Sequence, residues 1–148
     1  MGADEATYSQ LNDEITNGGN TVELQNHYYI YDGSTSTILI TGDNRVIDGR
    51  GAVIDMAGST IRAFNVGGSG VTIKNLTIKN ANYIDYGGAI YFSSSGTVEN
   101  CNFTNNTVRF NGGAIWFAGN GNVENCNFTN NFAAKGDGGA IRMDGESV

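Results

Sequence analysis

Apolar and polar residues alternate along this chain in short runs, and Gly, Asn, Ser or Asp closes each run. Val71-Thr72-Ile73, Leu76-Thr77-Ile78 and Ile90-Tyr91-Phe92 show the pattern. A period of two turns one side of each run toward a core and the other toward water, which predicts half-buried strands. The runs themselves recur. Val98-Glu99-Asn100-Cys101-Asn102-Phe103-Thr104-Asn105-Asn106 returns letter for letter as Val123 to Asn131, 25 residues later. A degenerate copy, Ile73-Lys74-Asn75-Leu76-Thr77-Ile78-Lys79-Asn80, lies 25 residues upstream. Gly87-Gly88-Ala89-Ile90, Gly112-Gly113-Ala114-Ile115 and Gly138-Gly139-Ala140-Ile141 keep the same beat, at offsets of 25 and 26. Identity at a fixed period is the mark of a repeat architecture.

Three short strands in a unit of about 25 residues, with breakers between them and no helical stripe within a unit, predict a parallel β-helix whose coils stack at ~4.8 Å. The expected stacking follows from the alternation. Ile38/Ile40, Phe64/Val66, Ile90/Phe92, Ile115/Phe117 and Ile141/Met143 share one pair of inward positions. Arg45/Ile47, Val71/Ile73, Gly96/Val98 and Gly121/Val123 share a second pair. Ala52/Ile54, Leu76/Ile78, Cys101/Phe103 and Cys126/Phe128 share a third. Asn75, Asn100 and Asn125 fall at the bend between the second and third strands, where Asn tolerates a left-handed backbone. Stacked Asn amides there form a candidate structural ladder.

Residues 7–19 are the one helical candidate. Thr7-Tyr8-Ser9-Gln10 has the form of a capping box, Tyr8, Leu11 and Ile15 share a face, and Gly18-Gly19 stop the helix. A solenoid has open hydrophobic ends, and this helix is expected to cap one of them. Residues 1–6 read as an appended or disordered start. Thr21 to Tyr31 reads as a first, irregular coil, and residues 20–148 as the β-helix, broken off at its last coil.

The paired signals Gly-Gly-Ala-Ile and Phe-Thr-Asn-Asn resemble the repeats of chlamydial polymorphic outer-membrane proteins. They also resemble adhesin-like surface proteins of methanogenic archaea, a group to which Ile47-Asp48-Gly49 and Val71 to Ile78 are most similar. Asn at coil bends resembles the right-handed parallel β-helix of pectate-lyase-like proteins. The resemblance covers residues 7–148. It implies an all-β, right-handed solenoid at the cell surface, with any export signal or anchor outside these residues. Shared coils do not imply shared sites.

Composition narrows the partners. The 148 residues include 22 Gly and no Pro, with a formal charge of −7. An acidic chain without a basic run argues against nucleic acid and against an anionic membrane face. No stretch is apolar enough to span a bilayer. Cys101 and Cys126 stack at an inward position at the spacing of paired parallel residues, too far apart for a disulfide, and are expected as free thiols. No metal or cofactor site is expected, and the single His27 is read as a solvated or packed side chain.

Candidate chemistry sits on the outward positions of the first strand, which read Leu39, Asn65, Tyr91, Trp116 and Arg142. A neighbouring row of Thr37, Ala63, Ala89, Ala114 and Ala140 is expected to face outward too and leave the ring faces accessible. Tyr91, Trp116 and Arg142 suit sugar stacking, or a cation–π pair between Trp116 and Arg142. In pectate-lyase-like proteins this face commonly carries the carbohydrate groove. Tyr83, Asp85, Tyr86, Arg109, Asn111, Lys135 and Asp137 lie on the turns that overhang it. The candidate ligand-binding set is therefore Tyr91, Trp116, Arg142, Asn65, Tyr86, Asn111 and Asp137.

These rows hold no paired carboxylates of the kind a glycosidase needs, and Asp43, Asp48 and Asp55 with Arg45 and Arg50 are the sole local mixture for lyase chemistry. The expectation is a non-catalytic, extracellular adhesin-like module that binds a cell-surface glycan or a partner-cell surface protein. Two alternatives stand beside it: a structural stalk or end-to-end self-associating filament module, and a polysaccharide lyase or hydrolase. Asn75, Asn102, Asn105 and Asn127 lie in Asn-x-Thr sequons, which suits a surface protein if the source glycosylates.

Overall fold

The computed structural model describes residues 5–136 and 138–145. The chain winds into a parallel β-solenoid of about six turns, with one short helix at its start. Every strand pairing is parallel and joins one rung to the next. Ile38–Ile40, Phe64–Val66, Ile90–Phe92, Ile115–Phe117 and Ile141–Met143 form a five-stranded sheet. Within it Ile38 stands on Phe64, Phe64 on Ile90, Ile90 on Ile115 and Ile115 on Ile141. The second and third strands of the sequence reading join into one in two turns, Val46–Asp55 and Val71–Lys79. They bend at Arg50 and Asn75, whose φ values are 54° and 58°.

The inward columns fall where the alternation puts them. Ile47, Ile73 and Val98 stack, as do Ala52 with Leu76 and Ile54 with Ile78, Phe103 and Phe128. Phe92 and Phe117 stack at 4.6 Å between ring centres, and Phe103 and Phe128 at 5.2 Å. A buried ring contributes ~1.5–3 kcal/mol over an exposed one, so these columns carry much of the cohesion between rungs.

Volume is balanced within each rung. A Cβ on Gly96 would meet the Phe92 ring at 2.3 Å, and one on Gly121 the Phe117 ring at 2.5 Å. The turn below has Val66 and Val71 in the corresponding places. Large pairs with absent side chain, and medium pairs with medium, so each rung fills its cross-section. The Gly-Gly of the repeat has a separate cause. Its first glycine is left-handed at Gly87, Gly112 and Gly138, with φ of 62°, 69° and 70°. Its second lies on the next rung's backbone, where a Cβ on Gly88 would reach the Gly113 carbonyl oxygen at 2.4 Å.

The start of the solenoid is more regular than its sequence suggests. Glu5–Thr7 is a strand on Tyr28–Ile30, so Glu5 and Ala6 are not part of a disordered start. Thr21–Glu23 and Tyr28–Ile30 both pair in register with Val46–Asp55, so the first coil is not irregular at these strands. Thr7 caps the helix Tyr8–Asn17 through the reciprocal box with Gln10. Tyr8, Leu11 and Ile15 are buried on the core.

Asn75, Asn100 and Asn125 all have left-handed backbone, with φ of 58°, 53° and 51°. The Asn75 amide donates to Asp48. A bonded pair of amides stands elsewhere: buried Asn106 donates to the side-chain oxygen of Asn131 at 3.1 Å and to the Ile78 carbonyl. A fourth short strand also went unforeseen. Asn82–Tyr83, Thr107–Val108 and Phe132–Ala133 form a three-stranded sheet, but two residues per rung are too few to show alternation. Cys101 and Cys126 are free thiols, and burial pushes the Cys101 thiol up to about 12.

Candidate functional site

The first-strand sheet fixes an outward row one residue wide. Leu39, Asn65, Tyr91, Trp116 and Arg142 are direct neighbours in register, as the alternation requires. The rung spacing brings the Tyr91 and Trp116 rings into a stack at 4.6 Å, tilted by 23°. Tyr86, on the turn before the strand, closes on Trp116 at 4.7 Å, and Phe110 on Tyr86 at 5.7 Å. The rings pack on one another, and those of Tyr86, Tyr91 and Trp116 are half-buried rather than open-faced.

Ala63, Ala89 and Ala114 are buried, not outward as expected. The reason lies in the backbone: the N–H groups of both Ala89 and Ile90 reach the Ala114 carbonyl, so the chain turns just before the strand and the alanine faces in. The small residues beside the rings are Gly87 and Gly112. A Cβ on them would meet Trp116 Cβ at 3.1 and 3.3 Å.

The cation packed against these rings from the turn before the strand is Arg62, which the sequence reading passed over. Its guanidinium carbon lies 4.3 Å from the Tyr83 ring centre and 4.7 Å from that of Tyr91. Nε donates to the carbonyls of Tyr86 at 2.8 Å and Gly87 at 3.1 Å, and Nη1 donates to Asn65 Oδ1 at 2.7 Å. Arg62 is 8% exposed, and no carboxylate lies within ion-pair distance of it among the described residues. Burial lowers its pKa, and the neighbouring Tyr83, Asp85 and Tyr91 oppose that. Its position could have been noticed. The repeat puts Gly88 or Gly113 before Ala-Ile, and this turn puts Arg62 before Ala63-Phe64.

Arg142 bonds a neighbouring carboxylate. Its Nε donates to Asp144 Oδ1 at 2.7 Å, and Trp116 Nε1 donates to the other oxygen of the same carboxylate at 2.6 Å. Hydrogen bonds from Arg142 and then Trp116 hold the Asp144 carboxyl below its ordinary range. The Asn111 carbonyl accepts the Gly87 N–H, which places Asn111 at the same turn one rung on. Asp137 lies outside the described residues. The structure thus gathers Asn65, Tyr83, Tyr86 and Tyr91 around Arg62, with Trp116 stacked on Tyr91 and Tyr86 and Arg142 one rung beyond Trp116. Exposed Ile84 and Phe110 border the edge.

This arrangement offers ring edges, partial ring faces and a cation at one rim. Among the described residues, no group of three or more Cys, His, Asp or Glu could hold a metal ion. Among the described residues, no helix is long and apolar enough to cross a membrane.

Residues 100–118 and 125–142 match the Chlamydia polymorphic membrane protein repeat. Each match runs from the bend asparagine through the Gly-Gly-Ala-Ile turn to the first strand, and together they cover well under half of the chain. No curated protein and no solved structure matches it.

Proposed function

We propose that this chain is a surface-associated β-helix module of adhesin-like character. It binds a cell-surface glycan, or a partner-cell surface, through the edge around Tyr91 and Trp116. The surface location follows the repeat match and the resemblance to adhesin-like proteins, and so does a right-handed coil. One observation carries the binding role: Tyr83, Tyr86, Tyr91, Phe110 and Trp116 converge on a single edge with Arg62 among them. Half-buried rings with polar tips suit the apolar faces and hydroxyl rims of sugars. Stacked rungs hold those rings in place before any ligand arrives, which lowers the ordering cost of binding. The reading is non-catalytic, because the outward row offers rings, an amide and guanidinium groups rather than a pair of carboxylates.

A structural stalk is the second reading. It is favoured by the way the rings stack on each other and Trp116 bonds Asp144, so that the cluster can serve as a brace alone. Trp116 is the sole tryptophan, so its fluorescence reports on this edge. Titration with a panel of cell-surface glycans is expected to shift or quench that emission for at least one of them. An emission that no glycan moves would leave the stalk.

A further inference from the structure

A buried guanidinium without a carboxylate partner is costly unless neutral groups or a ligand compensate it. Arg62 is such a group. Its acceptors are two backbone carbonyls and one amide oxygen, and its faces lie over two rings. Among the described residues, no buried side-chain nitrogen is left without a hydrogen bond. Nη2 donates to none of those three acceptors, so it is the corner of Arg62 that reaches solvent. Nη1 adjoins it and has donated once, to Asn65. Nη2 and the second hydrogen of Nη1 are therefore held in one orientation and donate to nothing on the described chain.

Two rings and two carbonyls fix the plane of this fork, and a planar two-oxygen anion matches it bidentately. The surroundings agree. The chain is acidic overall, yet Arg62, Arg109, Lys135 and Arg142 gather on this strand and its turns, four of the eight Lys and Arg. Arg109 lies over the Phe110 ring at 5.4 Å. Asp144 is engaged by Arg142 and Trp116, and Asp85 is the acid that acts on Arg62 without forming an ion pair.

We infer that the edge selects an acidic sugar, with the sugar carboxylate received by Nη1 and Nη2 of Arg62 and the ring seated against Tyr91 and Tyr86. This rests on the glycan-binding reading above and gives its substrate class. It also explains how an acidic protein can bind an anion: the fork presents charge locally where the net field does not.

The test uses the chain as it stands. The probes are a hyaluronan hexasaccharide and sialyllactose, each beside its carboxyl methyl ester, with a sulfated oligosaccharide that lacks carboxylates and neutral lactose. Titrations follow Trp116 emission, with calorimetry as a second readout. At least one acid should bind ten-fold or more tighter than its own ester. Arg62→Met should erase that difference, so that the acid and its ester bind alike, whatever affinity the remaining rings give them. Because Arg62 also holds the turn at Tyr86, Asn65→Asp provides a second variant. It places a carboxylate on Nη1 with almost no change in shape, and it should abolish the preference in a fully folded protein.

Acids and esters binding equally well would overturn the inference and leave a neutral-glycan edge. Tighter binding of the sulfated probe than of both acids would overturn the carboxylate assignment. No binding by any probe would overturn this inference, and failure across the wider glycan panel would remove the reading beneath it.

Discussion

Two arginines in this molecule are equally buried, each 8% exposed, and they do opposite things. Arg45 stands at the helical end. Its donors go to the carbonyls of Ile15, Gly18, Gly19 and Thr41, so the guanidinium closes the C-terminal turn of the helix and faces the negative end of its dipole. Arg62 stands at the aromatic edge with one corner unused. Burial alone does not separate a structural cation from a binding one; the count of satisfied donors does. Both residues interrupt the repeat at small positions. Arg45 shares a column with Val71, Gly96 and Gly121, and Arg62 replaces the second glycine of Gly-Gly-Ala-Ile.

Tyr8 joins the two regions. Its hydroxyl accepts the Ile38 N–H at 2.9 Å and donates to the Ala63 carbonyl at 2.5 Å, beside the Arg62 carbonyl at 3.2 Å. The helix that Arg45 anchors therefore also fixes the backbone from which Arg62 projects.

Breaking the shared interior sets the scale. Gly96→Val should cost ~3 kcal/mol or more, because its side chain would enter the Phe92 ring. Adding Phe92→Val should recover part of that loss in urea denaturation; no recovery would end the volume-balance account. Arg45→Met comes next, at ~2–4 kcal/mol, since several carbonyls at the helix end lose a charged donor. A loss under ~1 kcal/mol would mean that water serves those carbonyls equally well. Tyr8→Phe should cost ~1–3 kcal/mol by stranding a buried N–H and carbonyl. It should also weaken any preference for acids at Arg62, which a purely local cap would not do. Arg62→Met should cost less stability than Arg45→Met while removing the acid preference. The reverse order would erase the contrast between the two cations.

The smallest effect is a titration. Asp144 has its pKa lowered on folding, so its contribution to stability is present above the unfolded value of ~3.9 and is lost as pH falls through the folded value. Trp116 emission should therefore stay constant from neutral pH down through the ordinary carboxylate range and change only below it. Asp144→Asn should remove that step. A change centred near pH 5 would mean that the indole does not report on this carboxylate.

Most of the solenoid was legible because alternation at period two and identity at period 25 fix both facing and register. The Ile90 and Phe103 columns follow from nothing more. The buried alanines were misread because strict alternation was carried one residue past the strand, through a turn where it no longer applies. The short Thr107–Val108 strand left no pattern to find. At the site, Tyr91 and Trp116 could be placed from the register, since they lie on a strand. Arg62, Asp144 and the closure of Tyr86 could not, because turns bring them together and turns have no period. The useful signal was a break in the repeat: an arginine where glycine belongs at Arg62, and an arginine in an uncharged column at Arg45.

The pairing of Phe92 with Gly96 and of Phe117 with Gly121 bears on how such a chain could lengthen. A rung of this kind carries its own complement, large and absent together, so a copy placed beside its twin meets a surface of the same shape. Duplicating the segment around residues 92–117 would add a turn without a clash or a void. A duplicate of the turn that contains Arg45 would carry a guanidinium seeking a second helix end, and none would be there. Growth by tandem copying is thus open in one half of the molecule and closed in the other.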